Sequence, residues 1–164
     1  MPTAIPELIA AEIEARLNQI LTLEDYAFDV TEVVRPTRRG ENWQRKHLGI
    51  GVLQGDSARV PENDHPGNPP AICYSVGFDL VGVIRDSVDE EDPKAVNENA
   101  MAAAIVKAIT VPALTWHQFD GNAINAEIGD TQIALSSDGE FNAVTIPLRV
   151  IYRVSENDPY TVRA

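Results

Sequence analysis

Apolar residues recur along this chain with two different periods. Near the start, Ile9, Ile13, Leu17, Ile20 and Leu21 follow one another at three- and four-residue spacing. That spacing puts them on one side of a helix predicted over about 6–23. Pro6 suits its first turn, where no intrahelical donor is lost, and Glu12 and Arg16 are placed for a weak i,i+4 pair on the wet face. Further on the period becomes two. Ile72, Tyr74, Val76, Phe78, Leu80 and Ile84 share one parity, as do Val144, Ile146, Leu148, Val150, Tyr152 and Val154. This is the pattern of strands with one face in a core. At about 3.3 Å per residue each run spans on the order of 40 Å, far beyond an average strand. Strands of that length suit a sheet that is itself the working surface, as in a protein that assembles with copies of itself.

The remaining elements are read around these. Tyr26 to Val34 is rich in β-branched and aromatic residues and predicts a first strand, broken by Arg35-Pro36. Leu48 to Leu53 predicts a short second strand. Gln54 to Pro70 is dense in turn formers and predicts an extended surface loop or arm. After the long strand from Ala71 comes an acidic turn, Asp86 to Asp92. Asp92-Pro93 has the form of a helix opening, with a cap and a proline at the first helical position, and the helix is expected to run to about Ile109. Its many alanines permit close approach to a sheet. Ala123 to Ile128 and Gln132 to Leu135 flank Gly129-Asp130-Thr131 as a hairpin, and Ser137-Asp138-Gly139 turns into the last strand. A short polar tail, 155–164, follows. The order predicts a single α+β domain over 1–164: a mainly antiparallel sheet of about five to six strands with two helices packed on one face.

Composition narrows the possible partners. The net charge of −12 argues against broad binding to nucleic acid, which needs a basic footprint. Cys73 is the sole cysteine, so neither an intramolecular disulfide nor a multi-cysteine zinc site is available. The N-terminal apolar run carries glutamates and lacks a basic start, unlike a secretory signal. No stretch approaches the ~18 uninterrupted apolar residues of a membrane span. The expectation is a soluble chain made in a cytosol, with no membrane partner.

Candidate chemistry is sparse. His47, His65 and His117 lack any paired metal-ligand spacing. The acidic run 86–92 lacks the ligand order of a calcium loop and reads as a solvated, helix-capping turn. Serine elbows, phosphate loops and dinucleotide fingerprints are absent from the sequence. Cys73 has the parity of Ser75 and Asp79, opposite the core set, with no evident basic partner, and reads as an inert thiol. A carboxylate enzyme built on residues such as Asp79 and Asp120 finds no recognisable partners for them. No cofactor and no metal are expected, and the chain is not expected to be an enzyme.

One segment stands out locally. Arg35, Arg38, Arg39, Arg45 and Lys46 are five of the thirteen basic residues, with Trp43 among them. The segment reads either as a solvated loop or as a contact arm, arginine and tryptophan being common interface anchors. In a chain this acidic, such an arm could orient a neighbouring copy. These six are the candidate subunit or partner interface.

The N-terminal amphipathic helix, a strand ending in Arg35-Pro36, a variable loop, a long strand, an acidic turn into a second helix and the closing IPLRVIYRVSENDPY together resemble the tail terminator proteins of long-tailed bacteriophages. The likeness runs in order along nearly the whole chain and is sharpest from Val144 to Tyr160. The loop at 54–70 is longer than a compact member needs. The resemblance implies a structural virion protein, assembled in the host cytoplasm, forming a homohexameric ring on the head-proximal end of the tail tube and arresting tube growth. It implies the tail tube protein and a neck or stopper protein as partners, with a sheath or tape-measure protein as further candidates, and DNA only passing through the lumen. A neck, stopper or head-completion protein is the nearest alternative. A closed ring uses heterologous contacts, so it needs two different complementary patches, and an exposed edge of a long strand offers a place for β-augmentation.

Overall fold

In chain order the elements are α1 (Ile5–Leu17), β1 (Glu32–Val34), β2 (Gly49–Arg59), β3 (Ala71–Ile84), α2 (Glu98–Ile109), β4 (Asn125–Ile128), β5 (Gln132–Leu135), β6 (Asn142–Ser155) and β7 (Asp158–Val162). They come from a computed structural model that describes residues 2–36, 47–85, 96–111, 113–135 and 141–162. The architecture is α+β, with seven strands in one mostly antiparallel sheet.

The two alternating runs form the centre of that sheet. β3 and β6 are fourteen residues each and pair antiparallel throughout, from Ala71 opposite Ser155 to Ile84 opposite Asn142. Val76, Phe78 and Leu80 of β3, with Val144, Ile146, Leu148 and Val150 of β6, join Ile9, Ile13 and Leu17 of α1 and Met101 and Ile105 of α2 in one core. Both helices therefore cover the same face. The one gap in the β3 alternation is Gly82. A Cβ there would lie 2.6 Å from Met101 Cγ and 3.2 Å from Ile105 Cδ1, so the absence of a side chain lets α2 cross close to the sheet.

Several expectations need correction. α1 ends at Leu17 rather than near Leu23, because Gln19 and Ile20 donate to Arg16 and Leu17 three residues back and tighten the last turn. Ile20 still reaches the core, from outside the helix. The first strand contracts to Glu32–Val34, since its parallel partner begins only at Gly49. β2, in contrast, does not stop at Leu53. It continues to Arg59 through a bulge between Gln54 and Ser57, so only the later part of the 54–70 segment is loop. α2 opens at Glu98, where Asn97 Oδ1 accepts the Ala100 N–H at 2.8 Å. The expected opening at Asp92-Pro93 lies outside the described residues. The polar tail folds back over Asp158–Val162 as β7, paired with the end of β6.

The expected hairpin at Gly129-Asp130-Thr131 is also overturned. β4 and β5 both pair antiparallel with β6, Ala126 opposite Val150 and Ile133 opposite Val144. They run in the same direction and follow each other along one edge. The interruption faces Pro147, whose carbonyl accepts the Gly129 N–H at 2.8 Å. Proline has no N–H to return, so the ladder breaks there and resumes one residue out of register.

Candidate assembly surfaces

Of the basic segment, the structure describes Arg35, just beyond β1. Arg38, Arg39, Trp43, Arg45 and Lys46 lie outside the described residues. Arg35 is already engaged within its own chain. Its Nη1 lies 2.6 Å from Glu7 Oε1 and its Nε 2.9 Å from Glu14 Oε2. Glu7 and Glu14 are two helical turns apart and present one face of α1. Burial works against the guanidinium charge, but the hydrogen bonds and charges of the two glutamates outweigh it and hold Arg35 more firmly protonated. Half-exposed pairs of this kind stabilise weakly. They fix where the end of β1 meets α1. Beside them runs a groove of about 530 Å³ floored by Ala10, Val33 and Val52, with Glu7, Glu14 and Gln54 on its rims.

The face of the sheet away from the helices is covered at one end. Val60, Cys73 and Ile151 form a second small cluster there. The segment after β2 is clamped onto it: Arg59 donates to both carboxylate oxygens of Asp64 at 3.0 and 2.7 Å, and Asp64 Oδ1 accepts the Cys73 N–H at 2.7 Å. Arg153 Nε donates to the Asn63 carbonyl at 2.8 Å. The Arg59 bond and the Cys73 N–H hold the Asp64 carboxyl below the usual aspartate range. Burial pushes the Cys73 thiol up, outweighing the lowering influence of Arg153 and Arg59. Cys73 therefore has basic neighbours that its sequence context did not reveal, yet its chemistry is that of a shielded thiol.

This clamp makes a prediction. Asp64→Ala should release the segment and speed labelling of Cys73 by a thiol reagent several-fold without unfolding the sheet. In the native chain the same release is expected in acid. A carboxyl with a depressed folded pKa stabilises above its unfolded pKa and loses that contribution as pH falls through the folded value. Labelling with an acid-tolerant disulfide reagent across that range checks both arms.

The middle of the same face is open. Leu53, Gly55, Ser75, Gly77, Asp79 and Arg149 line a shallow basin of about 350 Å³, and a Cβ on Gly77 would meet nothing within 4 Å. Asp79 sits here, whereas Asp120 lies in a left-handed turn at φ 56°. The structure does not bring the two together as a reacting pair. His47 accepts the Arg85 N–H, His65 faces the Pro66 carbonyl and His117 packs edge-on to Trp116. Among the described residues no three metal-ligating side chains gather, and no helix is long and apolar enough to cross a membrane. The acidic run 86–92 lies outside the described residues.

The residue that sequence reasoning misplaced is Arg16. It pairs with Glu12 at 2.9 Å as expected, but it is 7% exposed rather than on the wet face. Its Nη1 donates to the carbonyls of Ile109 at 2.7 Å and Trp116 at 2.9 Å, and its guanidinium lies 4.5 Å from the Phe119 ring centre. Arg16 thus ties the end of α1 to the last turn of α2 and to the following loop. Lys107 draws the turn after α1 to the same end, donating to the Asp25 carbonyl at 2.7 Å. Leu23, Val111 and Leu114 are exposed on these turns.

No family model matches this chain, and no curated protein does. Among solved structures, a chain from the virion of a native gene transfer agent particle is similar over 92% of this chain and 92% of its own, at 11% identity and a TM-score of 0.40. Likeness of that extent decides neither fold nor function.

Proposed function

We propose that this chain is a structural virion subunit that assembles into a homohexameric ring, caps the head-proximal end of a phage tail tube and offers its other rim to a neck or stopper protein. The observation that carries the reading is the central pair of strands, fourteen residues long and matched at every position. They give a sheet roughly 45 Å long, and among the described residues both α-helices lie on one face of it. The order of elements and the closing Val144–Tyr160 sequence support the terminator in particular. The exposed end carrying Leu23, Val111 and Leu114 is a surface of the type that assembly covers.

In this account the subunit acts by occupancy. A ring bound to the growing tube end blocks addition of the next tube subunits, with no turnover, cofactor or metal. Acidic side chains toward a lumen repel DNA phosphates and ease passage. The basic segment supplies one of the two unlike patches that a ring contact needs.

The test is assembly. Mass measurement should give a hexamer, or a monomer that becomes a ring on isolated tail ends. Reversing Arg38, Arg39 and Arg45 to glutamate should weaken ring formation at least tenfold while leaving the melting temperature nearly unchanged. Unchanged assembly would return that segment to a solvated loop. A stable dimer that never assembles further on tails would count against the ring itself.

A further inference from the structure

The sheet has two long edges that no other described element pairs with. β1 covers β2 only at Gly49–Gly51, so the outer edge of β2 from Val52 to Arg59 has no backbone partner among the described residues. On the far side, β4 and β5 form one interrupted edge from Asn125 to Leu135, again without an outer partner among the described residues. Natural proteins usually cover or blunt such edges, because unpaired N–H and C=O groups invite another strand.

We propose that these two edges join head to tail between copies: β4 of one copy adds as an antiparallel strand to the free β2 edge of the next, β5 continues against β1, and Ile133 enters the groove beside α1. The inference rests on the ring reading and specifies its contact. Direction is the first argument. β2 is antiparallel to β3, β3 to β6, and β6 to β4 and β5, so the two outer edges run in opposite directions. Copies related by rotation about an axis along the strands therefore meet with antiparallel edges, whose hydrogen bonds lie straight across the ladder. The second argument is the placement of the breaks. Gln54, Phe78, Leu148 and Ile128 form one row across the sheet. The β2 bulge begins just after Gln54 and the β4–β5 break just after Ile128. At that level β4 meets the free β2 edge on one side of the break, and on the other side Ile133, whose row holds Val144, Gly82, Ile50 and Val33, meets β1.

Apolar fit is the third argument. Ile133 is 57% exposed and pairs with Val144, so it lies on the helix side of the sheet. The groove floored by Ala10, Val33 and Val52 lies on the helix side of the other edge. A strand contact of this length is small beside the roughly 800 Å² per partner of a standard interface. An open dimer is accordingly weak, while a closed ring holds every copy by both edges.

The test uses Ala58→Cys and Asn125→Cys in the full chain, with a short bis-maleimide; the two share the row of Ser75 and Ile151, both sites are exposed and Cys73 is fully buried. Thermal melting first confirms that each variant keeps its fold. The double variant should give a ladder of linked species ending at the ring size. Mixed single variants should give only heterodimers, and neither single variant should link to itself. Self-linking by one single variant would mean two-fold edge pairing and overturn the proposal. A ring by mass with no linking in the double variant would overturn the edge contact and leave the ring standing. A monomer both alone at high concentration and on isolated tail ends would overturn both.

Discussion

Replacing Arg16 by methionine is expected to lower stability by about 3 kcal/mol, near the low end for breaking a buried ionic network. For a chain of this size that corresponds to a fall in Tm of roughly 6–12 °C. Methionine preserves most of the packed volume but none of the donors. The Ile109 carbonyl, in the last turn of α2, then loses its buried partner, as does the Trp116 carbonyl. Leaving such groups unsatisfied costs more than the bonds themselves contribute. Arg16→Lys should recover little, because a point charge cannot serve Glu12 and two carbonyls while lying flat on Phe119. Chemical denaturation with intrinsic tryptophan fluorescence is a suitable measurement, Trp116 being part of the loop that Arg16 holds. A loss below about 1 kcal/mol would show that water replaces the guanidinium and that the network is not structural.

Phe119→Ala should cost a similar or larger amount, about 3–5 kcal/mol, the usual range for truncating a buried phenylalanine. Phe119 is fully buried and belongs to the main core. It also begins a run of left-handed residues, Phe119, Asp120 and Gly121, at φ 44°, 56° and 81°. That conformation is costly for the two residues that are not glycine. It persists because the ring is anchored beneath Arg16 and the turn is closed by Ala123 N–H to the Gln118 carbonyl at 2.9 Å. Without the ring the anchor is gone and the strain remains. Arg16→Met and Phe119→Ala touch one another, so the double variant should lose clearly less than the sum of the two. Strict additivity would show that the cation–ring contact carries no energy of its own.

These two residues mark where sequence reading reached and where it stopped. β3 and β6 were legible because a half-buried strand repeats every two residues, and even the gap at Gly82 kept the parity intact. Arg16 was hidden by its charge. It lies three residues after Ile13 and seven after Ile9, within the apolar stripe, and that position was the available signal of burial. The edge elements depended on partners distant in sequence. Gly129-Asp130-Thr131 has the local chemistry of a turn, yet pairing with β6 on both sides of Pro147 keeps the chain travelling in one direction. Gln54 to Arg59 looked like loop because an exposed edge strand has no burial pattern to display. Arg35 belongs to the basic segment, and its partners on α1 could be found only in three dimensions. Prediction of a basic contact arm therefore rests on Arg38, Arg39, Trp43, Arg45 and Lys46.

The central claim is that one assembly of this chain occupies one end of a tail tube and stops its growth. The most direct measurement is electron microscopy of tube subunits polymerising in the presence of increasing amounts of purified protein. The account predicts a ring at one end of each tube, growth arrested there, and an effect that saturates at one ring per tube and needs no nucleotide or metal. Tubes that lengthen at the same rate with both ends bare, across a stoichiometric excess of the protein, would contradict it.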